Sequence, residues 1–469
     1  MYSKEQNIFF SFSDKNKPAI ISSNQLINYK DLFHQSKSLA DNFTKNGIRK
    51  SEYIPILIEN RIEFIKTVLA LWQISAIPVP INTKLLPEEI KALLEDFKFN
   101  VLISDINLLI NLTENIKLLA PTISSTNYPT ENEFKYPEMN QEAIVIFTSG
   151  SSDRPKGVVH TFNSLKNHIE NGNEILKHKK EDRWLASLPF YHIGGFQIIT
   201  RSLFYGCTII IPESLKTNDL ANAINKFDPT HISLVSFQLD KFIENKISPN
   251  KSLRISLIGG GFIDDKLMLM ANQINWKPYR VYGSSETGSF ITAISSDEIT
   301  RKAYSVGKPL NNITVKISSE SEILIRSNSL FSNYLFDDNG TKSKLVDGYY
   351  YSGDLGYLDD ENFLYIEAKR EDLIITGGEN VNPVEVEKVI STLSFIDDVC
   401  VFAQQDKIWG QIIVAAIVVN NSEVSEKTIK DKLKQKLTGY KIPKKFFFTD
   451  ELPKTSIGKL DRNKIKKMF

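Results

Sequence analysis

Short β-branched runs recur along this chain with amphipathic helical stretches between them, and that alternation limits the fold more than any other feature. The runs cover 53–58, 77–81, 101–104, 143–148, 208–212, 233–235 and 253–258, with helix patterns at 29–46, 61–73 and 87–97. Helices crossing between strands predict an α/β fold with largely parallel sheets. Pro87 suits the first position of its helix, and Glu88 and Glu89 follow it. From about residue 303 the texture shifts to short strands and turns at 313–317, 322–326, 349–352 and 363–367, as expected of a small β-rich subdomain. A compact αβ region with a basic tail closes the chain. The expected division is therefore α/β (α+β overall): a large domain over 1–368, a hinge at 369–372 where a strand ends in the charged run KRED, and a small C-terminal αβ domain over 373–469. No internal repeat is visible, and the charge run at 177–183 reads as a solvated loop.

Composition narrows the function classes. With 469 residues and 41% apolar content the chain is long and apolar enough for large cores, which excludes disorder and fibres. Its 57 Lys+Arg against 56 Asp+Glu leave a net charge of +1, so no global field favours nucleic acid or an anionic membrane. Apolar runs are too short or interrupted to span a bilayer, the start lacks an apolar signal core, and Cys207 and Cys400 cannot build a disulfide framework or thiolate cluster. The expected compartment is reducing cytoplasm, with no nucleic-acid partner and no integral membrane segment; a homo-oligomer is left open.

Chemistry concentrates first in FTSGSSDRPKGVVH at 147–160, where a buried-type strand runs into hydroxyls, two glycines and a lysine. The hydroxyls of Thr148, Ser149, Ser151 and Ser152, the amides of Gly150 and Gly157 and the Lys156 ammonium are the donors that a triphosphate needs. The GxxxxGK[ST] loop does not fit, because here the lysine precedes the second glycine. Composition alone leaves an ordinary polar turn as the alternative.

Further segments follow in order: LPFYHIGG at 188–195, GGG at 259–261, VYGSSETG at 281–288, YYSGDLGYLDDE at 350–361, DLIITGGENVNPVEVE at 372–387 and LPKTSIGKLDR at 452–462. Each is weak singly. Together with TSGSSDRPKG they resemble the motif series of the adenylate-forming superfamily, which holds acyl-CoA synthetases, firefly luciferase and peptide-synthetase adenylation domains. The resemblance implies formation of an acyl-AMP from a carboxylic acid and ATP, with Mg2+ assisting, followed by transfer to a thiol. It implies phosphate binding by Thr148, Ser149, Gly150, Ser151, Ser152 and Lys156, and adenine packing by Gly259, Gly260, Gly261, Tyr282 and Gly283. Ser285, a threonine in most of the family, would donate to the α-phosphate, and Glu286 would be catalytic as the Mg2+ ligand. Asp354 would accept both ribose hydroxyls, and Lys459 would be the catalytic cation bridging the reacting carboxylate and the α-phosphate. A small C-terminal domain would swing about Glu371 between two arrangements, the second placing Gly377, Gly378 and Glu379 along the thiol tunnel.

Two positions depart from the pattern. Asp153 stands where the phosphate loop usually has glycine, adding a carboxylate near polyphosphate. Lys369 aligns with a ribose-contacting arginine, and Arg370 beside it takes that role after a one-residue shift.

Peptide-synthetase domains hold the substrate amine with an aspartate in the segment matching LPFYHIGG, where this chain has His192, so the resemblance implies an acid without an α-amine. The expectation is that no carrier domain follows and that free coenzyme A is the thiol. Residues 155–161, 188–211 and 230–239 resemble the o-succinylbenzoyl-CoA synthetase branch of the family, which serves menaquinone biosynthesis, more than the long-chain acyl-CoA synthetases. In that reading Arg201 receives the non-reacting carboxylate. His192, which is also a catalytic candidate, borders the aromatic ring with Ser284 to Thr287. The alternatives are another acyl- or aryl-CoA synthetase, for a medium-chain or cinnamate-type acid, and a non-catalytic nucleotide-binding homologue. Taken singly, Arg201 is also an ordinary helical cation and His192 an ordinary packed histidine.

Overall fold

The computed structural model describes residues 14–106, 116–122, 137–148, 155–261, 263–369, 373–376, 379–406, 410–420, 424–437, 439–455 and 460–469. Two compact units divide the chain: Met1–Thr314 with Arg326–Tyr350, and Val315–Ile325 with Tyr351–Phe469.

The alternation of strand and helix patterns produces the expected α/β architecture in the first unit. Its main sheet has nine strands, in the order Lys308–Pro309, Ser289–Ser295, Pro278–Ser284, Ile255–Gly259, His231–Val235, Arg183–Leu185, Thr208–Ile210, Pro18–Ile21 and Leu26–Asn28. The six strands from Pro278–Ser284 to Pro18–Ile21 run parallel, while the edges pair antiparallel. A second sheet of Ile77–Pro80, Tyr53–Leu57, Val101–Ser104 and Lys117–Leu119 is parallel throughout. Its first three strands are apolar almost without alternation, and Leu57, Ile77, Val79 and Leu102 pack with Ile90, Leu93 and Leu94 of the helix Pro87–Asp96 and with Val145 and Val159 of the third sheet. The third sheet is antiparallel, with Glu142–Thr148 and Lys156–Thr161 forming a hairpin in which Thr148 faces Lys156. Here the parallel expectation yields to an antiparallel pairing that holds both ends of the phosphate-loop segment together.

Helix starts follow capping chemistry. Asn28 accepts from the Asp31 N–H to open Tyr29–Lys45, and Asn60 accepts from Ile62 and Glu63 to open Arg61–Gln73. Pro87 opens Pro87–Asp96, and the Leu86 N–H donates to the Glu89 carboxylate at 2.7 Å.

The second unit carries a five-stranded sheet of Glu379–Val381, Ile374–Thr376, Gly410–Val419 and Ile396–Asp406, with Lys445–Phe448 parallel to Gly410–Val419. Period-two alternation splits its long strands cleanly. Val399, Val401, Ile413, Ala415 and Ile417 pack on one face with Val386, Ile390, Ile429 and Leu433. Cys400, Phe402, Ile412, Val414 and Ala416 face the other way, against Leu452 and Ile465. Both cysteines are buried thiols that form no disulfide, and burial pushes each up to about 12, so neither is a ready nucleophile. No helix among the described residues is long and apolar enough to cross a membrane.

Buried imidazoles make the first unit sensitive to acid. His231 stacks on Trp184 and His178, with its Nε2 3.0 Å from the Leu176 carbonyl and its Nδ1 4.0 Å from Asp182. Burial pulls His231 and His160 down to about 4 and His178 to about 2. Each stays neutral in the fold while its unfolded counterpart takes a proton near pH 6.5. Their stabilisation is complete above that pH and is lost progressively as pH falls below about 6.5. Urea unfolding should show a marked loss of stability between pH 7 and pH 5; a flat profile would contradict neutral burial.

Candidate active site

Parallel strands present their carboxyl ends on one edge of a sheet, and in open α/β sheets ligands bind in the crevice beyond that edge. Four neighbouring strands of the main sheet deliver candidate segments there. Arg183–Leu185 leads into LPFYHIGG, His231–Val235 into the helix Ser236–Glu244, Ile255–Gly259 into GGG, and Pro278–Ser284 into SSETG. Topology thus gathers His192, Gly259, Gly260, Gly261, Tyr282, Gly283, Ser284, Ser285 and Glu286, which are scattered in sequence, on one edge.

Local backbone demands explain the glycines best at two points. A Cβ on Gly283 would lie 1.8 Å from the Ser289 carbonyl oxygen, and one on Gly195 would lie 2.0 Å from that of Pro189. Any side chain at either position would push its turn apart. Gly260, exposed at the end of its strand, has φ +89, a left-handed conformation that suits glycine. The SSETG turn is then closed by its own hydroxyl: the Ser284 N–H donates to Thr287 Oγ1 at 2.9 Å, and that hydroxyl reaches the Ser284 and Ser289 carbonyls.

Glu286 is half-buried, and its Oε1 accepts from the Tyr334 hydroxyl at 2.9 Å. Burial first and the Glu286 charge second hold the Tyr334 phenol far above its ordinary range, so it remains a donor. The Lys156 ammonium lies 5.0 Å from the centre of the same ring, and the Phe331 N–H donates to the Glu286 carbonyl at 2.8 Å. Tyr334 therefore stands between the lysine of the phosphate segment and the carboxylate of SSETG. Among the described residues no group of three or more His, Cys, Asp or Glu side chains is arranged to hold a metal. A single hard carboxylate suits Mg2+, which retains waters and takes phosphate oxygens for its other ligands. Ser285 is fixed from below: its carbonyl lies 2.7 Å from His160 Nε2, whose Nδ1 lies 3.1 Å from Ser164 Oγ. The Nε2 proton is thus donated to Ser285.

His192 is the N-cap residue of the helix Ile193–Tyr205 and meets Tyr191 edge-on, with ring centres 4.7 Å apart. Arg61 supports this loop by donating to the Ala186 and Leu188 carbonyls, with its guanidinium 4.1 Å from the Phe190 ring centre. Further along the helix, Gln197 donates to the Gly288 carbonyl at 2.8 Å, tying the helix to SSETG. Arg201 is only 1% exposed. Its Nη2 lies 2.7 Å from His168 Nε2, and the guanidinium sits 5.2 Å from the Phe290 ring centre and 5.8 Å from that of Trp184. No carboxylate among the described residues pairs with it, and burial pulls it down to about 9, still a cation at neutral pH.

In the second unit Asp354 lies on the strand Tyr349–Leu358, opposite Lys369 of Leu364–Lys369. Gly353 before it has φ +76, and its N–H donates to the buried Glu322 carboxylate at 2.9 Å. Lys369 is placed by this register, and Glu379 lies on the strand Glu379–Val381. Ser149, Gly150, Ser151, Ser152, Asp153, Arg370, Glu371, Gly377, Gly378 and Lys459 lie outside the described residues. The flanks of Lys459 are held by an antiparallel bridge between Lys454 and Leu460. They are also held by Arg462, which donates to Glu387 at 2.6 Å and to the Val401 carbonyl at 2.9 Å.

Sequence reasoning passed over Tyr334, His160, His168, Arg61 and Gln197. His160 carried a signal, since it ends the segment FTSGSSDRPKGVVH; nothing distinguishes Tyr334 among 17 tyrosines before the fold brings it to Glu286.

The family model "AMP-binding enzyme" matches residues 12–335, and "AMP-binding enzyme C-terminal domain" matches residues 385–459. The 2-succinylbenzoate–CoA ligase of Bacillus subtilis is 32% identical over 96% of this chain and 94% of its own length. The ligase of that name from Listeria innocua is 31% identical over 93% of each. Among solved structures, o-succinylbenzoate CoA synthetase from Bacillus subtilis in complex with the acyl-adenylate intermediate OSB-AMP has a TM-score of 0.89 at 31% identity, covering 96% of this chain and 95% of that one. The same enzyme with ATP and magnesium ion has a TM-score of 0.88 at 30% identity, over 96% and 97%. With both family models matched in order, and relatives above 30% identity over nearly the full length, the chain belongs to the AMP-binding enzyme family.

Proposed function

We propose that this protein is an ATP-dependent acid–CoA ligase whose acid is o-succinylbenzoate, making o-succinylbenzoyl-CoA for menaquinone biosynthesis in the cytoplasm. The observation that carries the acid assignment is Arg201, a buried guanidinium with no carboxylate partner among the described residues. A buried cation without a counter-ion is costly, and a ligand carboxylate relieves that cost. Relatives that share almost the full length of the chain act on an acid with two carboxylates, which leaves one free after the other is activated.

The chemistry proceeds in two displacements. A carboxylate oxygen of the acid attacks the α-phosphorus of ATP and pyrophosphate departs; the coenzyme A sulfur then attacks the acyl carbonyl, its proton is lost, and AMP leaves. Lys156 and the loop Thr148, Ser149, Gly150, Ser151 and Ser152 bind the polyphosphate, with Ser285 donating to the α-phosphate. Glu286 would hold Mg2+, which when bound would supply neutralisation of phosphate charge. Gly259, Gly260, Gly261, Tyr282 and Gly283 pack on adenine, while Asp354 orients the ribose with Lys369 or Arg370 beside it. His192 and Ser284 border the ring of the acid. Lys459 bridges the two reacting anions, and a swing about Glu371, within a hinge at 369–372, brings Gly377, Gly378 and Glu379 to the incoming thiol.

Arg201→Leu tests the acid assignment. With Mg-ATP and coenzyme A, the wild-type protein should prefer o-succinylbenzoate to cinnamates and fatty acids, giving the CoA thioester and AMP. The variant should lose roughly a hundredfold in kcat/KM for that acid, the scale of removing one partner of a charge-assisted hydrogen-bonded pair. A wild-type preference for a monocarboxylate, or an unimpaired variant, would move the enzyme to another acyl- or aryl-CoA synthetase class.

A further inference from the structure

A cation meant to receive an anionic ligand has to be oriented by something that does not neutralise it. Glutamate or aspartate would hold a guanidinium firmly, and would also occupy its charge. Arg201 is instead held by an imidazole, with 2.7 Å between its Nη2 and His168 Nε2. Since the guanidinium can only donate, His168 Nε2 accepts, and the proton of the neutral ring resides on Nδ1. Burial first and the Arg201 charge second drive His168 well below its ordinary value, so the ring stays neutral. Its orientation is locked twice. Phe290 meets the ring edge-on at 5.5 Å and 87°, and His168 Cβ lies 3.4 Å from where a Cβ on Gly288 would stand, which packs it beneath the SSETG turn. Arg201 Nε and His168 Nδ1 are both buried, with no hydrogen-bond partner among the described residues. Two buried donors without acceptors leave an unmet requirement that acceptor oxygens fulfil.

We propose that His168 is a positioning residue for Arg201, holding the guanidinium uncompensated so that it receives the non-reacting carboxylate of a dicarboxylic acid. This rests on the dicarboxylate reading above. The helix Phe162–Leu176 supplies the acceptor and the helix Ile193–Tyr205 supplies the cation. Acid selectivity therefore depends on a residue 33 positions upstream of the one that meets the ligand.

His168→Phe keeps a ring of similar size and deletes the acceptor, while His168→Gln keeps an acceptor amide. Initial rates are measured with o-succinylbenzoate, with an analogue lacking the non-reacting carboxylate, and with varied ATP. His168→Phe should raise KM for the dicarboxylate by roughly tenfold or more, as expected for losing a hydrogen bond to a charged group, with KM for the analogue and for ATP within about twofold. His168→Gln should recover most of the loss. Equal KM increases for both acids, or no change for the dicarboxylate, would reduce His168 to packing and overturn the proposal while the acid assignment stands. A wild-type enzyme that does not distinguish the two acids would overturn the acid assignment and this inference together. Should His168→Phe fail to fold, His168→Leu withdraws the acceptor with less bulk, and the same comparison applies.

Discussion

Lys459→Ala is expected to suppress pyrophosphate release from ATP and acid by about a thousandfold, the upper range for deleting one preorganised charge-stabilising group. Transfer of the acyl group from supplied acyl-adenylate to coenzyme A should stay within a few-fold of wild type. The asymmetry follows from charge. Adenylation brings a carboxylate up to a polyphosphate, so two anions must be bridged as pyrophosphate departs. Thioester formation starts from an acyl-adenylate in which that repulsion is already spent. The substitution should leave the fold intact, because the flanks of residue 459 are fixed without it. Lys454 bridges Leu460, Asp461 accepts from the Lys464 N–H to cap the terminal helix, and Arg462 holds that helix to Glu387 and Val401. Pyrophosphate detection and chromatography of the thioester separate the half-reactions. Loss of both in a folded variant would contradict the role given to Lys459.

Sequence patterns convey local structure and not the tertiary partners of a site. Strand and helix positions were legible because period-two and helical alternation are properties of neighbouring residues: the helix Arg61–Gln73 and the strand Val101–Ser104 occupy the expected ranges. Sheet order was not legible, since nothing local to residues 183–185 says that the strand will lie between His231–Val235 and Thr208–Ile210. The site divides in the same way. Glu286, Ser285 and the glycines sit in recognisable motifs because backbone approach and charge placement must be met within a few residues. Glycine at 283 is demanded by the Ser289 carbonyl six residues on. The supporting side chains come from elsewhere: Tyr334 reaches Glu286 across 48 positions and His160 reaches Ser285 across 125. Such partners are chosen by the tertiary fold, and an isolated tyrosine or histidine carries no periodicity to betray it.

The contact with Tyr334 allows the charge of Glu286 to be separated from its position. Glu286→Gln preserves shape and an acceptor oxygen for the Tyr334 hydroxyl, and removes only the negative charge. The adenylation rate at fixed Mg2+ should fall roughly a hundredfold to a thousandfold, as for loss of a preorganised electrostatic group, and the Mg2+ concentration for half-maximal rate should rise. Tyr334→Phe keeps the charge and the ring beside Lys156, and frees the carboxylate to rotate. Its cost should be about tenfold or somewhat more, the worth of one hydrogen bond to a charged group, with little change in KM for the acid. The double variant should then lose less than the product of the two single effects, because the hydroxyl acts only through the carboxylate it orients. Pyrophosphate release followed over a Mg2+ titration for all four proteins completes the cycle. Independent, multiplying losses would show that Tyr334 serves the site through Lys156 or packing instead, and a Glu286→Gln enzyme matching wild type at every Mg2+ concentration would remove Glu286 from metal binding altogether.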